Sequence, residues 1–229
     1  MRPITFAHRG ARSERPENTL AAFERALELG ATGLESDAHL SGDGQVVLVH
    51  DPVVRGGLRR RRVAQTTAAD LAQLGIPRLA DLYDAVGTDF ELSIDLKAEG
   101  VADPLLAVAR SVGADDRLWI CAGRLAALEA IREPGAAHLV HSTKRSAIDS
   151  SVERHADHLA RIGVGACNMR HTDWTAGLVG LFHRFGLLAF AWGAQEVRHV
   201  RAMLDVGIDG VYSDHVDRLV ATVAEWSET

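Results

Sequence analysis

Several short apolar runs end in residues that could do chemistry. His8 and Arg9 close the first run, Glu35 and Asp37 lie in the second, and Asp95 and Lys97 close the third. Trp192 ends the seventh and Asp214 follows the eighth. Glu35-x-Asp37 and Asp95-x-Lys97 are each spaced by two, so on an extended strand both members of a pair face one side. Carboxylates gathered on one buried side repel each other, and a cation among them removes the conflict. Glu35, Asp37 and Asp95 can thus hold one hard divalent ion, Ca2+ or Mg2+. No His/Cys cluster is spaced as in a structural zinc site. His141, His171 and His183 read as surface or rim histidines without a role.

These residues need a scaffold that aligns strand ends. The strand candidates are 4–8, 33–37, 91–97, 118–122, 138–142, 164–168, 187–192 and 210–213. Amphipathic stretches lie between most of them, such as 19–29, where Leu20, Phe23 and Leu27 share a stripe. Others are 104–112, 124–132, 152–162, 176–185, 195–206 and 215–226. Regular alternation implies a parallel sheet, and eight units in 229 residues point to a closed (β/α)8 TIM barrel, an α/β fold. An open doubly wound sheet is the alternative. The whole chain, 1–229, reads as one domain with a short insertion at 51–76. Residues 45–50 form one more strand-like run, too close to the second strand for a parallel crossover, so they must return as a β-hairpin. A turn centred between Gly42 and Asp43 would set Glu35 opposite His50.

Composition narrows the partners. The formal net charge of −6 argues against a general nucleic-acid binder. No apolar stretch approaches membrane-spanning length, so no integral membrane association is expected. Cys121 and Cys167 read as two buried thiols rather than a disulfide. The amino terminus lacks the pattern of a signal peptide, which points to a cytoplasmic protein. Nothing in the sequence fixes an oligomeric state. Arg55 and the run Arg59–Arg62 read first as a solvated charged stretch, with recruitment of an anionic head group as the sharper hypothesis.

The ordered segments His8-Arg9-Gly10, Pro16-Glu17-Asn18-Thr19, Glu35-x-Asp37, Val49-His50-Asp51-Pro52, Ile94-Asp95-Leu96-Lys97 and Gly207–Asp214, with Trp192, resemble the signature of the glycerophosphodiester phosphodiesterases. The likeness is dense over 6–52 and sparser beyond. It implies a metal-dependent phosphoric diester hydrolase of lipid and glycerol metabolism, which cleaves a small-molecule glycerophosphodiester to glycerol 3-phosphate and an alcohol. It also implies roles. His8 and His50 would be the acid and base, Glu35, Asp37 and Asp95 the ligands of one divalent ion, and Arg9 and Lys97 the phosphate-holding cations. Trp192 would pack on the glycerol. The third ligand position carries Asp95 where the family usually has Glu, and Gly193-Ala194-Gln195 replaces a more polar triplet. A lysophospholipase D-type or cyclic-phosphate-forming reaction would use the same groups. A non-catalytic phosphodiester-binding barrel and a glycosidase barrel are the readings from other classes. Asn18 and Asp214 each stand where they could cap a helix.

Overall fold

The computed structural model describes residues 2–56, 59–131 and 133–228. Its strands are β1 (Ile4–His8), β2 (Gly33–Leu40), β3 (Val46–Leu48), β4 (Val53–Gly56), β5 (Arg59–Arg62), β6 (Glu91–Leu96), β7 (Leu118–Ala122), β8 (His138–Ser142), β9 (Ala166–Arg170), β10 (Leu188–Trp192) and β11 (Gly210–Ser213). Its α-helices are α1 (Leu20–Glu28), α2 (Ala68–Ala72), α3 (Leu79–Val86), α4 (Ala102–Ser111), α5 (Leu125–Glu129), α6 (Val152–Arg161), α7 (Ala176–Arg184), α8 (Val197–Asp205) and α9 (Val216–Trp226). Strands β1, β2 and β6–β11 pair in parallel, and β1 bonds to both β2 and β11, which closes an eight-stranded barrel. No described helix is long and apolar enough to cross a membrane.

Period-two alternation divides the apolar residues between two compartments. Phe6, Val140, Ala166, Phe190 and Tyr212 fill the barrel interior, where Phe6 stacks on Tyr212 at 4.5 Å and meets Phe190 edge-on at 5.5 Å. Their neighbours in sequence, such as Ala7, Leu139, Cys167, Ala191 and Val211, join the larger cluster between sheet and helices. Both cysteines are buried and free.

Strand β3 returns antiparallel to β2, as the short connection requires, but in a different register. Leu40 pairs with Val46 and Ala38 with Leu48, so facing residues sum to 86 and Glu35 does not oppose His50. The cause is the turn. Ser41 N–H donates to the Gln45 carbonyl, and Gly44 takes φ +77°. A three-residue loop ending in a left-handed residue centres the hairpin on Asp43. The insertion also holds more order than a charged run suggests. Val53–Gly56 and Arg59–Arg62 form an antiparallel hairpin, with Arg55 opposite Arg60. Helix α3 spans only eight residues after its N-cap Arg78, too few for its apolar spacing to signal a helix in the sequence.

The entry into α1 is tight. Arg9 (φ 56°) and Gly10 (φ 76°) turn the chain sharply after β1, and a Cβ on Gly10 would lie 2.7 Å from the Ala22 carbonyl carbon. That neighbour is helix backbone, which cannot move aside. Gly10→Ala is expected to cost about 2–4 kcal/mol of folding stability, from backbone strain plus overpacking. The midpoint of urea unfolding checks this, and an unshifted midpoint would refute it.

Candidate functional site

Strand register brings the chemistry together. His8 pairs with Glu35 across β1 and β2, and Asp37 pairs with Asp95 across β2 and β6. Because parallel partners share a face, four polar groups converge at the carboxyl-terminal mouth of the barrel. A cavity of ≈ 340 Å³ opens there, and His8, Arg9, Glu35, Asp37, Asp95, Lys97 and Trp192 all line it. A larger groove of ≈ 570 Å³ beside α4 and α5 shares only Lys97 with it and contains none of these acids or imidazoles.

The imidazole of His8 is held at one nitrogen. Its Nδ1 lies 2.5 Å from Asp214 Oδ1, which leaves Nε2 3.8 Å from Glu35 Oε2. Burial works against protonation of His8, but the charge of Glu35 and the bond to Asp214 outweigh it and raise its pKa. The same bond lowers the pKa of Asp214 against the effect of its own burial. Asp214 therefore does not cap α9, which begins without a side-chain cap.

The acids are buried and crowded. Glu35 is 7% exposed and Asp37 2% exposed. Burial raises the Glu35 pKa to about 7, with the charges of Asp37 and Asp95 adding to it while His8 opposes. Its Oε2 accepts the Arg9 backbone N–H at 3.0 Å. Asp37 is a hub: Lys97 Nζ lies 3.0 Å from Oδ1, Arg9 Nε 3.0 Å from Oδ2, and Asn18 Nδ2 donates at 3.3 Å. Asn18 also accepts from Ser36 Oγ at 2.8 Å, so it braces the second strand. The cap of α1 is Thr19, whose Oγ1 accepts from Ala22 N–H. Lys97 bridges Asp37 to Asp95, reaching Asp95 Oδ2 at 2.6 Å. Burial raises the Asp95 pKa, with Lys97 opposing. Burial disfavours the Lys97 charge, but Asp95 and Asp37 prevail and its pKa rises.

The donor set fits a hard divalent ion on chemical grounds, although Glu35, Asp37 and Asp95 do not bring one oxygen each within 4.8 Å of one another. Three carboxylates face two cations, and Glu35 is left with a strongly raised affinity for protons. A group in that state is stabilised by added positive charge, and its oxygens suit Ca2+ or Mg2+. Asp95, the shorter residue at the third position, makes the nearer of the two carboxylate contacts to Lys97.

His50 stands apart from the other predicted residues. It lines a different cavity, which shares no lining residue with the first, together with Glu17, Asn18, Asp51, Arg55 and Arg60. Its Nδ1 lies 2.8 Å from Asp51 Oδ1, and its charge still acts on Asp95. Arg9 and Arg12 both hold Glu17, at 2.9 and 2.6 Å, which ties the loop after β1 to the rim.

Fold and site together define a TIM barrel whose mouth gathers acids, the His8 imidazole and two cations around one cavity. A model of the Glycerophosphoryl diester phosphodiesterase family matches residues 8–218, and the chain belongs to that family. It is 26% identical over 244 residues to a glycerophosphodiester phosphodiesterase of Caldanaerobacter subterraneus, covering 97% of this chain and 98% of that one. Over 242 residues it is 29% identical to a probable glycerophosphodiester phosphodiesterase 2 of Mycobacterium tuberculosis, covering 94% and 89%. The crystal structure of glycerophosphodiester phosphodiesterase from Thermotoga maritima superposes with a TM-score of 0.85 at 24% identity, covering 96% of this chain and 98% of the other. An Oleispira antarctica phosphodiesterase, solved with the product sn-glycerol-3-phosphate, gives 0.80 at 22% identity and 97% coverage of both chains.

Proposed function

We propose that this protein hydrolyses glycerophosphodiesters to glycerol 3-phosphate and an alcohol, with His8 and His50 as its acid–base pair. The observation that carries the reading is the convergence of His8, Glu35, Asp37, Asp95, Arg9 and Lys97 on one cavity at the barrel mouth. The family, and the product held by the Oleispira relative, supply the substrate class.

Each residue has a task in this reading. Asp214 fixes the proton of His8 on Nδ1 and leaves Nε2 to exchange a proton with an oxygen on phosphorus. Asp51 does the same for His50 at its Nδ1. Arg9 and Lys97, anchored by Asp37, hold phosphate oxygens and offset the charge that develops on them. Trp192, half-buried at the end of β10, packs on the glycerol and limits water. Glu35, Asp37 and Asp95 would hold the divalent ion. When bound, that ion supplies Lewis-acid polarisation of a phosphoryl oxygen and neutralises charge.

The arginine hairpin adds a test of head-group preference. Arg55 and Arg60 share a cavity with His50, so an anionic leaving group would meet them first. Changing Arg59, Arg60, Arg61 and Arg62 to Gln is expected to raise KM for a head group bearing a second phosphate by about 10-fold relative to glycerophosphocholine. An unchanged KM ratio would end the idea. The function itself is tested by incubating the protein with a panel of glycerophosphodiesters and each divalent ion in turn, and assaying released glycerol 3-phosphate.

A further inference from the structure

On the outer face of the barrel wall, far along the sheet from β1 and β2, three metal-ligating side chains meet. His141 of β8 pairs in register with Cys167 of β9, and each follows an interior residue, Val140 and Ala166. Alternation therefore sends both side chains outward, under helix α6, which contributes His155. All three are buried, at 5%, 0% and 8% exposure. One ligand atom from each can be chosen so that all lie within 4.8 Å of one another, the only such group of His, Cys, Asp and Glu among the described residues. His141 Nδ1 lies 3.1 Å from His155 Nε2, close to the spacing of two nitrogens on one tetrahedral ion. Neither these positions nor their spacing signalled a site in the sequence, because the ligands come from three separate elements.

We propose that His141, His155 and Cys167 form a second metal site, taking a borderline-soft divalent ion such as Zn2+. Two imidazoles and a thiolate select Zn2+ over the Ca2+ or Mg2+ that suit the oxygens at the barrel mouth. The Gly123 backbone also acts on His141, favouring its protonated form against burial. Burial lowers the pKa of both histidines, which keeps them neutral and ready to ligate. Cys167 has no hydrogen-bond partner or charged neighbour among the described residues, and burial alone raises its pKa. Its thiolate is thus disfavoured unless a cation arrives. On binding, the thiol proton is released, the sulfur bonds the ion, and the His155 proton moves from Nε2 to Nδ1. Three protein ligands leave a fourth position. His141 and His155 line a cavity of ≈ 570 Å³, from which water can complete the set. The ion would pin α6 to β8 and β9.

The test uses the full chain, stripped of metal by chelation and returned to buffer with excess Ca2+ to occupy the acidic mouth. Titration with Co2+ is expected to give one equivalent of tight binding, with a thiolate-to-cobalt charge-transfer band and the intense visible bands of tetrahedral coordination. Zn2+ should displace it without further proton release, whereas Zn2+ added to the metal-free chain should release one proton and raise Tm by about 5 °C or more. Cys167→Ala should lose the charge-transfer band and the Tm rise, whereas Cys121→Ala, which removes the thiol inside the barrel, should keep both. His155→Ala, at the helix side of the site, should weaken Zn2+ at least 10-fold. No thiolate band in the parent chain, or a band that survives Cys167→Ala, would overturn the site.

Discussion

Replacing His8 with alanine is expected to lower kcat on glycerophosphocholine by about 1,000-fold, with KM changed little. The expectation rests on the geometry around one ring. His8 is anchored by Asp214 at Nδ1 and directs Nε2 into the cavity that also holds Arg9, Lys97 and three acids. Losing the ring removes a proton carrier but leaves the two cations in place, so ground-state binding should survive. Asp214→Asn should keep the ring but weaken its orientation, at about 10- to 100-fold in kcat. The pair separates a chemical from a structural role. If His8 only packed, both variants would leave kcat near the parent value, and any loss would appear in the unfolding midpoint instead.

Removing divalent ions is expected to have an effect at least as large. Exhaustive chelation should abolish turnover, and Ca2+ or Mg2+ alone should restore it. Because Zn2+ would be stripped from the barrel wall by the same treatment, recovery with Mg2+ or Ca2+ and no Zn2+ assigns the activity to the mouth. Glu35→Gln should raise the metal concentration needed for half-maximal activity by about 10- to 100-fold. Glu35 is the better choice than Asp37, because Asp37 also anchors Arg9, Lys97 and Asn18 and its loss would disturb three contacts. Activity that persists undiminished in excess chelator would contradict the metal assignment.

The sequence shows the barrel well because its signals are local. Alternation, strand-end polar residues and helix stripes depend on neighbours within a few positions, and all eight barrel strands lie where those signals put them, to within a few residues. The pairs Glu35/Asp37 and Asp95/Lys97 were legible as same-face pairs for the same reason. What the sequence concealed depends on contacts between distant segments. Asp214 follows β11 and reads as a cap, yet barrel closure sets β11 against β1 and delivers it to His8. Asn18 also reads as a cap, but its left-handed backbone turns it inward to Asp37 and Ser36. The return hairpin slipped by one residue because Gly44 adopts a positive φ that lengthens the turn. His141, read as a surface or rim residue, is buried because β8 faces α6 at that point.

Phosphodiester cleavage at the barrel mouth is measured directly by phosphorus NMR of the reaction. With glycerophosphocholine and Mg2+ or Ca2+, the diester resonance should decay while that of glycerol 3-phosphate grows in equal amount, and His8→Ala should leave the diester intact over the same interval. A diester signal that stays constant with the parent protein under every divalent ion would contradict the assignment.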